Sequence, residues 1–424
     1  MGSVILWENS RPSSTRFCRP IKLIYEKETS NLARTEVERV KQQISEIIPT
    51  QFDSFKIHPK FYPAMIDGKV FSVIAESSSQ TCGICGATPK VMNDLNSIKA
   101  LPLNTKMYEY GLSTLHAWIR CFECILHIAY RLPIQKWHVR GTDKSVVQQT
   151  KLDIQEKLRN EMCLLVDIPK PSSGNTNSGN TARRFFQEPK LAALLTGISE
   201  ELIRRFSVIL RTMACGYKVN THAFKIYSFD TAEIFFKTYP WFYMPSSVPK
   251  ILIRGADIIN YVSLSIGMMS EEAQEARNKD LRNFREHHTR KNSRKNTMEA
   301  LTYSLLASSD PLISSLSKQP SSYSRNNIEI GSDVLTHFIA ENNNLDLLIY
   351  IYDFSAARSV ISTSGHRLPV NAANKSCAHE GNVWRTMTAP YHTCRPYHTV
   401  GVSPFLVVAS PQCFDQSQIV IKLF

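Results

Sequence analysis

Two observations predict an α/β chain with a short strand-bearing N-terminal part and a long helical middle. Strand-like segments, Pro20–Tyr25 and Phe55–Ala75, are confined to the first 80 residues, whereas amphipathic periodicity recurs from residue 109 to about 290. A third bounds the alternatives. In 424 residues, 43% are hydrophobic and 21% charged, enough apolar material for a sizeable core and too much for wholesale disorder.

In order along the chain, Pro20 to Tyr25 alternates as a strand, and Thr29 to Ile48 carries Leu32, Val37, Val40, Ile44 and Ile47 near a 3.6-residue period, the pattern of an amphipathic helix. Phe55 to Ala75 reads as two β-like runs broken at Asp67-Gly68, a hairpin-turn dipeptide. Residues 109–132, 151–165, 189–213 and 229–238 are helical by periodicity. The Ser/Gly/Asn-rich stretch 169–180 is a loop. Ser270, with Glu271 and Glu272 in the first turn, caps a polar helix expected to reach about Arg290. From about Ser308 the composition is that of a linker, followed by a neutral tail without periodic logic.

Charge is distributed as unevenly as hydrophobicity. The formal net charge is +13, yet residues 310–424 hold 8 basic and 8 acidic side chains, so the excess lies upstream. Between Arg277 and Lys295 there are 8 basic residues against 2 acids. Such a run is either a solvated helix face or a surface for a polyanion. No stretch approaches a membrane helix, and the N-terminus carries neither a secretory nor a myristoylation signal, so an intracellular protein with no membrane partner is expected.

The ten cysteines are expected as reduced thiols. Cys18, Cys163, Cys215 and Cys413 read as small buried hydrophobes. Cys82-Gly-Ile-Cys85 has the spacing of a zinc knuckle but supplies only half of a tetrahedral site. Cys121 and Cys124 share that spacing inside an apolar helix, which favours packing. A looser group in the tail, Cys377, His379, His392, Cys394 and His398, fits no zinc-finger spacing. Asp67 and Glu275, taken alone, are a turn residue and an exposed helix acid; paired, they could bind the divalent metal of a phosphoryl-transfer site. The loop at 173–180 followed by Arg183 and Arg184 suits phosphate contacts as well as an ordinary surface role.

Seven segments occurring in order carry a resemblance: FCRPIKLIYEKET (17–29), MIDGKVFSVI (65–74), CGICGATP (82–89), GLSTLHAWIR (111–120), SGNTNSGNTARRFF (173–186), VPKILIRG (248–255) and EEAQEARNKDLRNFREHHTRKNSR (271–294). From about Gly2 to Leu316 the chain resembles the catalytic core of Transib-type DNA transposases, a group that includes the V(D)J recombination-activating recombinase.

The resemblance implies a partial RNase H-like core interrupted by a large, mainly helical insertion, with an unrelated neutral tail. The divisions are a core segment at 1–80, the insertion at 81–255, a catalytic-glutamate helix with a basic run at 256–305, and a linker and tail at 306–424. It implies metal-dependent DNA nicking, hairpin formation and strand transfer with Mg²⁺ or Mn²⁺. The second aspartate of that family's triad falls on Asp67 and its glutamate on Glu275, while the first aspartate falls upstream of Met1. The zinc knuckle falls on Cys82 and Cys85, but the two histidine positions that complete it read Pro249 and Arg254. Double-stranded DNA is the implied partner, contacted through Lys279, Arg282, Arg285, Arg290, Lys291, Arg294 and Lys295, with Arg183 and Arg184 in support.

The expectation is therefore a transposase-derived, nuclear, DNA-binding protein acting as a homodimer or with an intact transposase. Two alternatives stand beside it. One is an active transposase with a longer native N-terminus; the other is a non-catalytic helical module, about residues 109–240, that pairs with an intact transposase.

Overall fold

The computed structural model describes residues 29–52, 55–57, 68–78, 80–170 and 174–310, with isolated positions before and after and the strand residues 407–409 and 420–423. All of them belong to one compact unit. They are 65% helical and 2% strand. Strand pairing amounts to two antiparallel pairs, β1 (Thr50–Phe52) with β2 (Phe55–Ile57) and β3 (Val407–Ala409) with β4 (Val420–Leu423). The expected α/β, RNase H-like core is thus absent from the described residues, which form a helical assembly.

The physical reason is plain after Asp67. Where a second strand was expected, Gly68–Ile74 forms helix α2, following the N-terminal helix α1 (Ser30–Ser45). Val70 and Phe71 are buried and Ile74 packs against the same core, a spacing that serves one face of a helix turn as readily as a strand. The Ser72 hydroxyl donates back to the Gly68 carbonyl at 2.8 Å. Of the other expected strand, Ile24 makes a single bridge; Ile21, Lys22 and Tyr25, and Asp67 itself, lie outside the described residues. In α1, Thr29 caps the Leu32 amide and the apolar stripe buries Ala33, Val37 and Val40.

The core is organised around one helix. After the short helix α3 (Leu95–Ala100), Ser113 caps α4 (Thr114–Arg131), in which Cys121, Phe122, Cys124, Ile125, Leu126 and Ile128 are at most 1% exposed. Cys121 and Cys124 are core packing, as their helical context predicts. Helix α5 (Asp143–Met162), α6 (Gly179–Gln187), α7 (Pro189–Thr196) and α8 (Glu200–Ala214) follow, and α4 packs on α5, α6 and α8. Phe122 meets Phe185 at 5.0 Å between ring centroids, and Trp118 meets Phe186 at 5.8 Å. The single helix expected over 189–213 is two because Gly197, at φ 71°, supplies the left-handed turn that ends α7.

Helix α9 (Thr221–Thr238) packs on α10 (Ser247–Leu252) and α11 (Gly255–Tyr261). Two longer helices close the described region: α12 (Glu272–His287) and α13 (Arg294–Ser308), packed on each other. The polar helix therefore ends at His287, and the basic run crosses a turn into a second helix. Glu271, not the expected Ser270, holds the N-cap position of α12; Ser270, one residue earlier, accepts from the Glu272 amide at 3.3 Å. Cys18 and Cys215 are buried, whereas Cys163 is exposed at the left-handed end of α5.

Candidate nucleic-acid interface

The α12–α13 hairpin sorts its charges by helical phase. Ala273, Gln274, Arg277 and Leu281 form the buried face of α12. Glu275, Lys279, Arg282 and Glu286 recur at three- and four-residue spacing on the opposite ridge, where Glu275, Lys279 and Glu286 are exposed and Arg282 is half-buried. Arg285 lies between the two faces. Arg290, Lys291, Arg294 and Lys295 are exposed at the turn and the start of α13.

The first residue of the run does something else. Arg277 is 5% exposed, and its Nη2 donates to the Leu305 carbonyl at 2.7 Å and to the Ser308 hydroxyl at 2.8 Å, while Nη1 reaches Asp280 at 3.2 Å. This side chain bolts α12 to the last turn of α13, where its positive charge also suits the negative end of the helix dipole. It is a structural cation, not a surface one.

The turn that carries the exposed cations is itself ordered by hydroxyls. Thr297 Oγ1 donates to the Arg290 carbonyl at 2.7 Å and to the Ser293 carbonyl at 2.8 Å; Thr289 Oγ1 donates to the Arg285 carbonyl at 2.8 Å. Ser293 caps α13 through the Asn296 amide at 3.1 Å. Arg294 and Lys295 then occupy the first two positions of α13. Cations there oppose the positive end of the helix dipole, a local conflict that an incoming anion relieves by meeting the cations and the helix-start amides together.

Arg183 and Arg184, expected to support phosphate contacts, are engaged within the fold. Arg183 pairs with Glu272 at the start of α12 and lies 5.6 Å from the Trp118 ring centroid. Arg184 donates to the Met162 carbonyl at 2.8 Å, capping the end of α5. The loop before them is consumed likewise. Asn177 exchanges hydrogen bonds with Asp167, its Oδ1 accepting from the Asp167 amide at 2.9 Å and its Nδ2 donating to Asp167 Oδ1 at 2.7 Å. Tyr130 donates to the other oxygen of Asp167 at 3.0 Å and Lys151 pairs with it at 3.5 Å.

Of the expected catalytic pair, Glu275 is exposed on the α12 ridge and Asp67 lies outside the described residues. The buried acid of this helix start is its neighbour Glu271. One oxygen of Glu271 accepts from the Ser113 hydroxyl and stands 3.3 Å from His116 Nδ1; the other is buried without a partner among the described residues. Periodicity and capping rules assign Glu271 and Glu272 only to the helix dipole. The usable signal was Ser113 and His116 three residues apart at the start of an apolar helix, a cap that also has a second polar group to offer.

Among the described residues no group of three or more His, Cys, Asp or Glu is placed to hold a metal ion. For Mg²⁺ or Mn²⁺, a single exposed carboxylate such as Glu275 does not make a site. For zinc, the structure brings the expected partner region to the knuckle but with the wrong donors. The Arg254 guanidinium donates to the Ile98 carbonyl at 2.6 Å, near enough for its charge to act on the Cys85 thiol. The neighbouring Cys82 thiol, with that guanidinium's charge, lowers the Cys85 pKa to about 6, while the same neighbour and burial push Cys82 up. Pro249 is buried in α10. The tail cysteines and histidines lie outside the described residues. No protein-family model matches this chain, and no curated protein matches it. No helix among the described residues is long and apolar enough to cross a membrane.

Proposed function

We propose that this chain binds double-stranded DNA through the α12–α13 hairpin, as a protein derived from a Transib-type transposase and acting in the nucleus. The observation that carries the reading is the display of Arg290, Lys291, Arg294 and Lys295. Four exposed cations sit on a hydroxyl-braced turn at the dipole-positive start of a 15-residue helix, while the hairpin's other end is bolted by Arg277. A solvated face needs no such bracing; a phosphate contact does, because fixing the cations beforehand lowers the entropy lost on binding.

Binding of this kind is electrostatic and reads little sequence. With about five phosphates neutralised, log affinity should fall with log salt at a slope of about −4 to −5. The test is fluorescence anisotropy of a labelled duplex with the full chain across a salt series. A steep slope that flattens when Arg290, Lys291, Arg294 and Lys295 are changed together to Gln supports the reading. A duplex affinity that hardly responds to salt, or that survives the quadruple change, refutes it.

A further inference from the structure

Cations also gather where α4 passes into α5. From Arg131 to Lys151 the sequence holds five basic side chains and one acid, Asp143. A surface that only needs to stay soluble intersperses both signs, whereas a patch of one sign attracts a polyanion. Lys136, His138, Arg140 and Lys144 are all exposed. Asp143 is taken by Lys136 at 2.9 Å, and neither Arg140 nor Lys144 makes an ion pair among the described residues.

The connection is held in one shape. At its start the Ile134 and Gln135 amides both donate to the Arg131 carbonyl, at 3.1 and 2.8 Å. At its end Gly141 takes φ 54°, the Asp143 amide donates to the Arg140 carbonyl at 3.1 Å, and Ser145 Oγ donates to the Thr142 carbonyl at 2.7 Å. Between them the Trp137 ring is pinned, its centroid 4.9 Å from that of Phe242 and 5.3 Å from that of Tyr243. The Arg131 guanidinium lies 5.5 Å from the Trp137 centroid and 5.6 Å from that of Phe242. Arg131 is half-buried, its Nε is buried with no acceptor among the described residues, and no carboxylate there pairs with it. A partly desolvated guanidinium without a counter-ion is costly, and an anion arriving beside it lowers that cost.

We infer that the α4–α5 connection is a second phosphate-binding surface for double-stranded DNA, with Arg140 and Lys144 meeting the backbone and Arg131 adding its charge beside Trp137. The inference rests on the duplex-binding reading above and extends it to the other end of α4. The hairpin is rooted at the first turn of that helix, where Thr114 Oγ1 donates to Ser270 Oγ at 2.8 Å; the connection leaves its last turn, about 27 Å further along. Because the Trp137 ring is committed to Phe242 and Tyr243, the surface offers charge and no open stacking platform. That favours duplex phosphates over unstacked bases.

The experiment is anisotropy of a labelled duplex with the full chain across a salt series. It compares wild type, the double change Arg140→Gln with Lys144→Gln, and the quadruple hairpin change. The double change should weaken binding about five- to twentyfold at moderate salt and lower the salt slope by about two. Its melting temperature should stay within about 2 °C of wild type, since both side chains are exposed. The charge-conserving swap Arg140→Lys with Lys144→Arg should keep the wild-type slope. A double variant that binds with wild-type affinity and slope, while the hairpin variant loses both, overturns this inference and leaves the hairpin reading standing. A wild-type chain whose duplex affinity ignores salt refutes both. A swap variant that loses as much as the glutamine variant would show that shape, not charge, was removed, and would equally overturn the second surface.

Discussion

Arg183 of α6 is ion-paired with Glu272, the first residue of α12, and both side chains are 14% exposed. The pair joins the helical body to the basic hairpin, and the Trp118 ring beside the guanidinium shields it from water. Arg183→Gln should therefore cost about 3–5 kcal/mol of stability, since it leaves Glu272 charged, largely buried and stripped of its guanidinium. Chemical denaturation measures the loss. The salt slope of duplex binding should be unchanged by the same substitution, whereas a phosphate-contacting arginine would reduce that slope by about one.

Arg277 and Lys291 stand towards opposite ends of the same basic run and should respond in opposite ways. Arg277→Met should lower stability by about 2–4 kcal/mol, because the Leu305 carbonyl and the Ser308 hydroxyl lose a charged donor inside the hairpin. Lys291→Gln, at an exposed turn position, should leave stability within about 0.5 kcal/mol of wild type and flatten the salt slope by about one. Denaturation and anisotropy on the two variants separate the roles.

Glu275 sits on the exposed ridge with Lys279 and Arg282. If that ridge faces DNA, Glu275→Gln removes a repelling charge and should tighten duplex binding about two- to fivefold at low salt, with the gain fading as salt screens it. A loss of binding on this substitution would show that the carboxylate is a contact.

Tyr130 gives the structure an alkaline limit. It is buried, its hydroxyl donates to Asp167, and burial followed by the Asp167 charge raises its pKa well above the ordinary value of 10. The sign follows from linkage. An unfolded tyrosine releases its proton near pH 10 while the folded one keeps it, so stability from this group is complete below pH 10 and falls as pH rises beyond it. Tyr130→Phe should cost about 1 kcal/mol at pH 7, where Asp167 loses a donor, and should weaken the decline in stability above pH 10. Melting curves at pH 7, 9 and 11 check both parts.

Much of the helical layout was legible in the sequence. The α4 stretch from Thr114 to Arg131, the α1 stripe with Val37 and Val40, and the packing of Cys121 and Cys124 follow from 3.6-residue periodicity, which is local and needs no neighbours to be read. The strand expected after Asp67 failed for the converse reason. Val70, Phe71 and Ile74 are apolar at spacings open to either element, and packing chose the helix.

The candidate interface divides the same way. Sequence alone determined that positive charge is concentrated between Arg277 and Lys295, because charge is a property of composition. It could not show that Arg277, Arg183 and Arg184 are turned inward to Leu305, Glu272 and Met162, since each of those partners lies at least 22 residues away along the chain. Only the tertiary structure decided which cations face solvent, and that Arg254 comes to rest on the Ile98 carbonyl. A guanidinium near a distant acceptor is held by three-dimensional proximity, and one-dimensional spacing carries no trace of it.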